Sequence, residues 1–126
     1  MQKSKLKNIA VVILGTLFLA ACTSKTIQPP DLPIPSGNLS FSKDVAPIFT
    51  KSCALSGCHA SGFIQPDLTA SNAYNSLISM SLVDTLQPEQ SALYKKITQG
   101  TMKPYLSSPE DGQIILYWIK QGAKNN

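Results

Sequence analysis

The stretch Ser52–Ala60 constrains this chain more than any other, because it holds two of the three cysteines and the only histidine. Cys53, Cys58 and His59 form the pattern C-x4-C-H, in which an imidazole directly follows the second thiol. Ser56 and Gly57 lie between the cysteines, and glycine adopts a positive φ at little cost. The segment between the two thiols is therefore able to bulge outward and bring them together.

A cysteine followed directly by histidine, with a second cysteine upstream, is typical of the attachment of a c-type haem. The two thiols add to the haem vinyl groups, and the imidazole binds the iron as its proximal ligand. The usual spacing is C-x-x-C-H, so the longer spacing here requires a bulged loop. The motif predicts one covalent haem c, attached through Cys53 and Cys58 and ligated by His59.

Three other interpretations of the motif remain open. Cys53 and Cys58 could form a short-loop disulfide in an exported domain. A structural zinc site needs about four protein ligands, and two cysteines with one histidine fall short of that number. His59 could also be an ordinary surface histidine whose position next to Cys58 is coincidental.

Residues 1–22 have the features of a bacterial lipoprotein signal. Three lysines (Lys3, Lys5 and Lys7) precede a short apolar run, which ends in Leu19-Ala20-Ala21-Cys22. We expect cleavage to leave Cys22 as the lipidated first residue of the mature protein, although an uncleaved anchor is the alternative. Either form places the rest of the chain outside the cytoplasm, on the periplasmic or cell-envelope face of a membrane.

Residues 23–39 contain four of the nine prolines and are predicted to be an extended linker. Residues 40–126 are predicted to form one domain. Without the signal lysines, 8 lysines face 7 acidic residues and there is no arginine. This near-neutral balance gives no electrostatic support for nucleic-acid binding.

The fold class predicted for the domain is all-α, with about four helices. The first begins at Ser42 or Asp44 as N-cap and continues to about Ser52, and the second spans about 72–79. The third begins near Pro88 and stops at Gly100. The fourth has Ser108 as N-cap and Pro109 at its first position, and it ends at Gly122. The predicted apolar faces comprise Val45, Ile48 and Phe49; Tyr74, Leu77 and Ile78; Ala92, Leu93, Tyr94 and Ile97; and Ile114, Ile115, Trp118 and Ile119.

A haem iron ligated by His59 needs a second axial ligand, and no other histidine exists to provide it. Met80 and Met102 are the candidates after processing, and a lysine is a weaker one because its amine must first lose a proton. Met80 lies in an apolar stretch, which is typical of a methionine that fills a core. Met102 lies in a polar loop with Gly100 and Pro104, which favours it as the ligand.

The domain resembles the small c-type cytochrome domains of exported bacterial proteins over essentially its whole length. The segments that carry the resemblance are Asp44–Phe49, Cys53–His59, Pro66–Leu68, Tyr74 with Leu77, Pro88, Ser91–Tyr94, Met102 with Pro104, Tyr117–Ile119 and Gln121–Ala123. The resemblance implies a cytochrome c-like fold around one haem, with Met102 as distal ligand. The sequence departs from the family in its C-x4-C-H spacing and in Met102-Lys103-Pro104.

The function expected from this chemistry is one-electron transfer between redox protein partners, without an enzymatic activity or a small-molecule substrate. The acidic residues Asp44, Asp67, Glu110 and Asp111 are interpreted as helix caps and solvated turns rather than acid–base pairs. Two alternatives stay open. One is a haem enzyme or gas-binding site with a labile distal ligand, and the other is a haem-free lipoprotein binding module stapled by a Cys53–Cys58 disulfide.

Overall fold

The structure is a computed structural model that describes residues 37–126. The predicted signal segment, its Cys22 and residues 23–36 of the linker lie outside the described residues. Residues 37–126 contain α-helices, short helical turns and loops, and no β-strand occurs among them. The all-α prediction is confirmed for this part of the chain.

Helix α1 (Ala46–Ser52) continues from a single π-helical turn, Phe41–Val45. The predicted N-cap at Ser42 or Asp44 is wrong, because Ser40 caps this turn. The Ser40 hydroxyl accepts a hydrogen bond from the Lys43 amide at 3.3 Å, and the Asp44 carboxylate accepts one from the Ser40 amide at 2.7 Å. This reciprocal pair satisfies two amides that the helix itself cannot and moves its start towards the N-terminus.

Helices α2 (Ala73–Ser79) and α3 (Ala92–Thr98) are short. Leu77 of α2 is fully buried, but Ile78 is 43% exposed and does not share its face as expected. The third helix does not begin at Pro88. A separate 3₁₀ turn, Pro88–Gln90, precedes it, because Ser91 has a non-helical ψ of 133° and separates the two.

Helix α4 (Pro109–Lys120) is the longest and matches its prediction. The Ser108 hydroxyl accepts a hydrogen bond from the Asp111 amide at 3.3 Å, which confirms the N-cap. Gly122 has a φ of 93° and ends the helix by donating to the carbonyl of Ile119 at 3.0 Å. Three apolar residues of the predicted stripe are fully buried: Ile115, Trp118 and Ile119.

The core lies where α4 packs against α3 and against the π-helical turn before α1. Phe41 lies at its centre, with its ring centroid 5.1 Å from that of Trp118 and 5.3 Å from that of Tyr74. Leu39, which the sequence assigns to the linker, is also buried in this core. Among residues 37–126, no helix has the length and apolar character that a membrane crossing requires.

Candidate cofactor-attachment site

The C-terminal end of α1 presents the first cysteine of the motif. The amides of Cys53 and Ala54 both donate to the carbonyl of Phe49, each at 2.8 Å, and Phe49 is fully buried. The side chain of Cys53 is half-buried and packs against the core. Cys53 is therefore held by the hydrogen-bonded end of α1, next to the core.

The rest of the motif folds back on Cys53. The amide of Cys58 donates to the carbonyl of Leu55 at 2.9 Å, and the amide of His59 donates to the carbonyl of Cys53 at 3.1 Å. Gly57 has a φ of 80°, as expected for a bulge between the cysteines. The structure thus brings Cys53, Cys58 and His59 into one turn, in which both thiols are free and that of Cys58 is exposed.

The two thiols have different environments. Burial raises the pKa of the Cys53 thiol to about 11, and the nearby Cys58 and Asp111 add to the effect. Asp111 belongs to the first turn of α4, so the start of that helix faces the motif. Cys53 stays a neutral thiol at physiological pH.

The imidazole of His59 is held at one nitrogen. Its Nδ1 lies 3.0 Å from the carbonyl oxygen of Pro66 and 3.2 Å from that of Ile64. Carbonyl oxygens only accept hydrogen bonds, so Nδ1 carries the proton and donates it. In a neutral ring, this leaves the lone pair on Nε2, which is the atom able to bind a metal.

The loop after the motif supports this arrangement. The amide of Leu68 donates to the carbonyl of His59 at 2.8 Å, and the amide of Ile64 donates to the carbonyl of Cys58 at 2.9 Å. These bonds close residues 59–68 into a loop that returns to the histidine. The carbonyls that bind Nδ1 are therefore supplied by the chain immediately following the motif.

Asp67 is buried in this loop with 9% of its surface exposed, so its interpretation as a solvated turn is wrong. Its carboxylate accepts hydrogen bonds from the hydroxyls of Ser61 and Thr69, both at 2.6 Å, from the Thr69 amide at 3.0 Å and from the Asn72 side chain at 2.8 Å. The Ser61 hydroxyl contributes most to holding the pKa of Asp67 well below its usual range, followed by the hydroxyl and amide of Thr69. The clustered Ser, Thr and Asn residues around Asp67 were the sequence signal for this network.

Met102 lies in the connection between α3 and α4, one residue before the 3₁₀ turn Lys103–Tyr105. It is half-buried and packs against the core, and its amide donates to the carbonyl of Lys96 at 3.2 Å. Met80 is 45% exposed, so its interpretation as a core-filling residue is wrong. The α2 helix ends just before Met80 and turns its side chain outward.

The segment that follows Met102 approaches the motif. The hydroxyls of Ser52 and Ser107 lie 2.6 Å apart, which joins the end of α1 to the chain just before α4. Cys53 and Met102 also pack against the same core. The structure thus places Met102 in a loop whose end is hydrogen-bonded to Ser52, the residue before the first cysteine.

The candidate residues are half-buried or exposed. Of the two surface depressions described for residues 37–126, neither is lined by Cys53, Cys58, His59 or Met102. No three or more His, Cys, Asp and Glu side chains in these residues are arranged to hold a metal ion. Four large apolar side chains near the candidate residues are instead exposed: Leu55, Phe63, Ile64 and Tyr105.

Comparisons of this chain with protein-family models, with curated proteins and with solved structures found no match.

Proposed function

We propose that residues 40–126 form a monohaem c-type cytochrome domain with a cytochrome c-like fold, which transfers single electrons between redox protein partners. The domain carries one covalent haem c and has no enzymatic activity of its own. The observation that carries this proposal is the environment of His59. Its Nδ1 donates to the Pro66 and Ile64 carbonyls, which orients the ring and leaves Nε2 available beside two free thiols.

The chain's residues suit such a group in three respects. Cys53 and Cys58 supply the two thiols for thioether bonds, and the folded motif holds them in one turn with His59. The apolar side chains of Leu55, within the motif, and of Phe63 and Ile64, in the loop after it, are exposed and offer surface that a porphyrin can bury. Met102 is the proposed distal ligand, in a loop anchored next to Cys53.

The proposed ligand set argues for electron transfer rather than catalysis. A bound haem supplies one-electron chemistry at its iron, and a methionine opposite a histidine raises its reduction potential. His59 and Met102 would occupy both axial positions, so no position remains for a substrate. His59 is the chain's only histidine, so no second imidazole is available as a general base.

Haem attachment is tested by the visible spectrum of the purified protein and by haem staining after a denaturing gel. Expression in a host able to attach haem c should give a coloured protein whose haem survives denaturation. Cys53→Ser with Cys58→Ser should abolish the stain, while Cys22→Ser should retain it as the matched thiol control. A colourless wild-type protein would favour the disulfide-stapled binding module.

The distal ligand is tested by the methionine–iron charge-transfer band of the oxidised protein. Met102→Ala should remove this band and lower the reduction potential, whereas Met80→Ala should leave both unchanged. A band that persists in Met102→Ala and disappears in Met80→Ala would contradict the assignment. Rapid binding of CO by the wild type, with turnover of peroxide, would favour a haem enzyme or gas-binding site.

The proposal includes a lipid anchor at Cys22 that holds the domain at the periplasmic or cell-envelope face of a membrane. The lysine-rich start, the short apolar run and Leu19-Ala20-Ala21-Cys22 support it. Mass spectrometry of the membrane fraction should find a lipidated peptide that begins at Cys22. An intact Met1 in that fraction would contradict processing.

A further inference from the structure

We propose that Asp67 is a positioning residue for His59, which it serves by holding the Pro66 carbonyl against Nδ1 of the imidazole. The inference deepens the proposed function, on which its redox consequence rests. The Asp67 carboxylate forms its hydrogen bonds with Ser61, Thr69 and Asn72, not with His59. It acts through the loop that supplies the histidine's hydrogen-bond acceptors.

The carboxylate of Asp67 joins the two ends of this loop. One oxygen, Oδ2, accepts from Ser61, two residues after the histidine, and from Asn72, which precedes α2. The other oxygen, Oδ1, accepts from the amide and the hydroxyl of Thr69. Both oxygens are used, and a single side chain therefore connects the exit from the motif with the entry to α2.

The peptide bond between Pro66 and Asp67 passes this restraint to the imidazole. Its carbonyl accepts from Nδ1 of His59 at 3.0 Å, and its amide donates to Oε1 of Gln65 at 3.2 Å. The next amide, that of Leu68, donates to the carbonyl of His59 at 2.8 Å. The Pro66 carbonyl therefore belongs to the peptide unit that joins it to Asp67, and the carboxylate of Asp67 fixes the position of that residue in the loop.

The restraint is strong because the carboxylate is buried and fully hydrogen-bonded. Hydrogen bonds to a charged acceptor contribute more than neutral ones. Removing the Asp67 carboxylate leaves the hydrogen-bond donors of Ser61, Thr69 and Asn72 without their common acceptor. We expect the loop to rearrange and the Pro66 carbonyl to leave Nδ1.

The consequence for a metal-bound histidine follows from its second nitrogen. A carbonyl that accepts from Nδ1 fixes the ring orientation and raises the basicity of Nε2 as a ligand. Loss of that hydrogen bond makes His59 a weaker donor to ferric iron. The oxidised form then loses stability relative to the reduced form, and the reduction potential rises.

Asp67→Ala and Asp67→Asn test this in the full-length, haem-loaded protein. In Asp67→Ala, we expect the Nδ1 proton of His59 to exchange with solvent about tenfold faster in the reduced state, because a hydrogen bond is lost. The midpoint potential should rise in the same variant. Asp67→Asn keeps one acceptor oxygen for Thr69, so both changes should have the same sign and be smaller.

Asp84→Ala is the matched control. Asp84 is an exposed loop aspartate whose carboxylate accepts from the amides of Leu86 and Gln87 at 2.9 and 3.0 Å. Its removal deletes the same charge and the same kind of turn, but in a loop that shares no hydrogen bond with residues 59–72. The exchange rate and the potential should equal those of the wild type.

The outcomes separate this inference from the proposed function. If the wild type carries haem and the Asp67 variants have the same Nδ1 proton exchange rate and the same midpoint potential as the wild type, the inference is wrong. The proposed cytochrome function is not affected by that result. If Asp67→Ala does not fold, the Asp67→Asn result decides.

A wild type without haem contradicts the proposed function. The inference is then tested by NMR, through the ¹⁵N chemical shifts of the imidazole, which are unambiguous because the chain has a single histidine. Asp67→Ala should move the neutral ring from the Nδ1–H towards the Nε2–H tautomer. An unchanged tautomer overturns the inference.

Discussion

At the scale of single residues, the two thiols of the motif should differ in reactivity. The thiolate is the nucleophilic form of cysteine, and the pKa of Cys53 is raised from 9.0 to about 11 by burial and by its acidic neighbours. Two pKa units reduce the thiolate fraction about 100-fold relative to an ordinary thiol. Cys58 is exposed and its access to reagents is not restricted by the core.

We therefore predict that iodoacetamide modifies Cys58 faster than Cys53 in the haem-free chain at pH 8. Cys53→Ser and Cys58→Ser, each on a Cys22→Ser background, leave one thiol apiece, and mass spectrometry of timed samples gives the two rates. Modification at Cys53 should continue to accelerate above pH 10, where an ordinary thiol has reached its maximum rate. Equal rates at pH 8 would contradict the burial of Cys53.

The same residue predicts a pH dependence of stability. Because the folded-state pKa of Cys53 lies above the ordinary value, the fold favours the protonated thiol. Its contribution to the free energy of unfolding is complete below pH 9 and is lost as the pH rises towards 11. Urea unfolding of the haem-free chain should show this decline, and the difference between wild type and Cys53→Ala isolates it from other groups.

At the scale of secondary-structure elements, α2 and α4 end in the same way with different residues. After α2, the amides of Ser81 and Leu82 donate to the carbonyls of Ile78 and Leu77, both at 3.0 Å. Ser81 has a φ of 53°, whereas glycine occupies the equivalent position, Gly122, after α4. A left-handed residue with a Cβ atom is strained, so the end of α2 costs stability.

Ser81→Gly should therefore raise the free energy of unfolding by about 0.5–1 kcal/mol, because the relief of strain exceeds the entropy that glycine adds to the unfolded chain. Gly122→Ala should lower it by about 1 kcal/mol for the converse reason. Ser79→Gly, at the last residue of α2, is the control and should not raise it, because Ser79 has no positive φ to relieve and glycine adds entropy to the unfolded chain. Urea titrations of the three variants give the values, and a stabilising Ser79→Gly would show that the effect is not positional.

The elements also show which parts of the fold were predictable. Helix α4 was predicted at both ends because its signals are local: Ser108 and Pro109 at the start, Gly122 at the end. The start of α1 was missed because the reciprocal Ser40–Asp44 bonds extend its first turn through a π-helical geometry that no propensity describes. The sequence specifies a helix end only where the capping hydrogen bonds do not depend on the conformation of the neighbouring turn.

At the scale of the whole molecule, some features of the candidate site are predictable from the sequence and others are not. Cys53, Cys58 and His59 lie within seven consecutive residues, so the sequence alone predicts their proximity. The polar residues around Asp67 signal a hydrogen-bonded turn, but its burial also depends on Ser61 and Asn72 meeting across a loop, which the sequence does not show. Met80 was misplaced for a related reason, since apolar neighbours in sequence do not establish which way the chain turns after α2.

The two ends of the described chain meet in the fold. The amide of Leu39 donates to the side-chain oxygen of Gln121 at 2.8 Å, and the amide of Phe41 donates to that of Asn126 at 3.0 Å. Leu39 is 5% exposed and packs in the core with Trp118 and Phe41. The last residues of the predicted linker therefore take part in closing the domain.

Leu39→Ala tests whether this closure stabilises the molecule. Removal of a buried leucine side chain leaves a cavity and should lower the free energy of unfolding by about 2–5 kcal/mol. Leu86→Ala is the matched control, because Leu86 is 92% exposed and its truncation should change stability by less than about 0.5 kcal/mol. Chemical unfolding of the full chain gives both values. If both variants changed the free energy of unfolding by less than about 0.5 kcal/mol, Leu39 would belong to the linker and the core would begin at the π-helical turn.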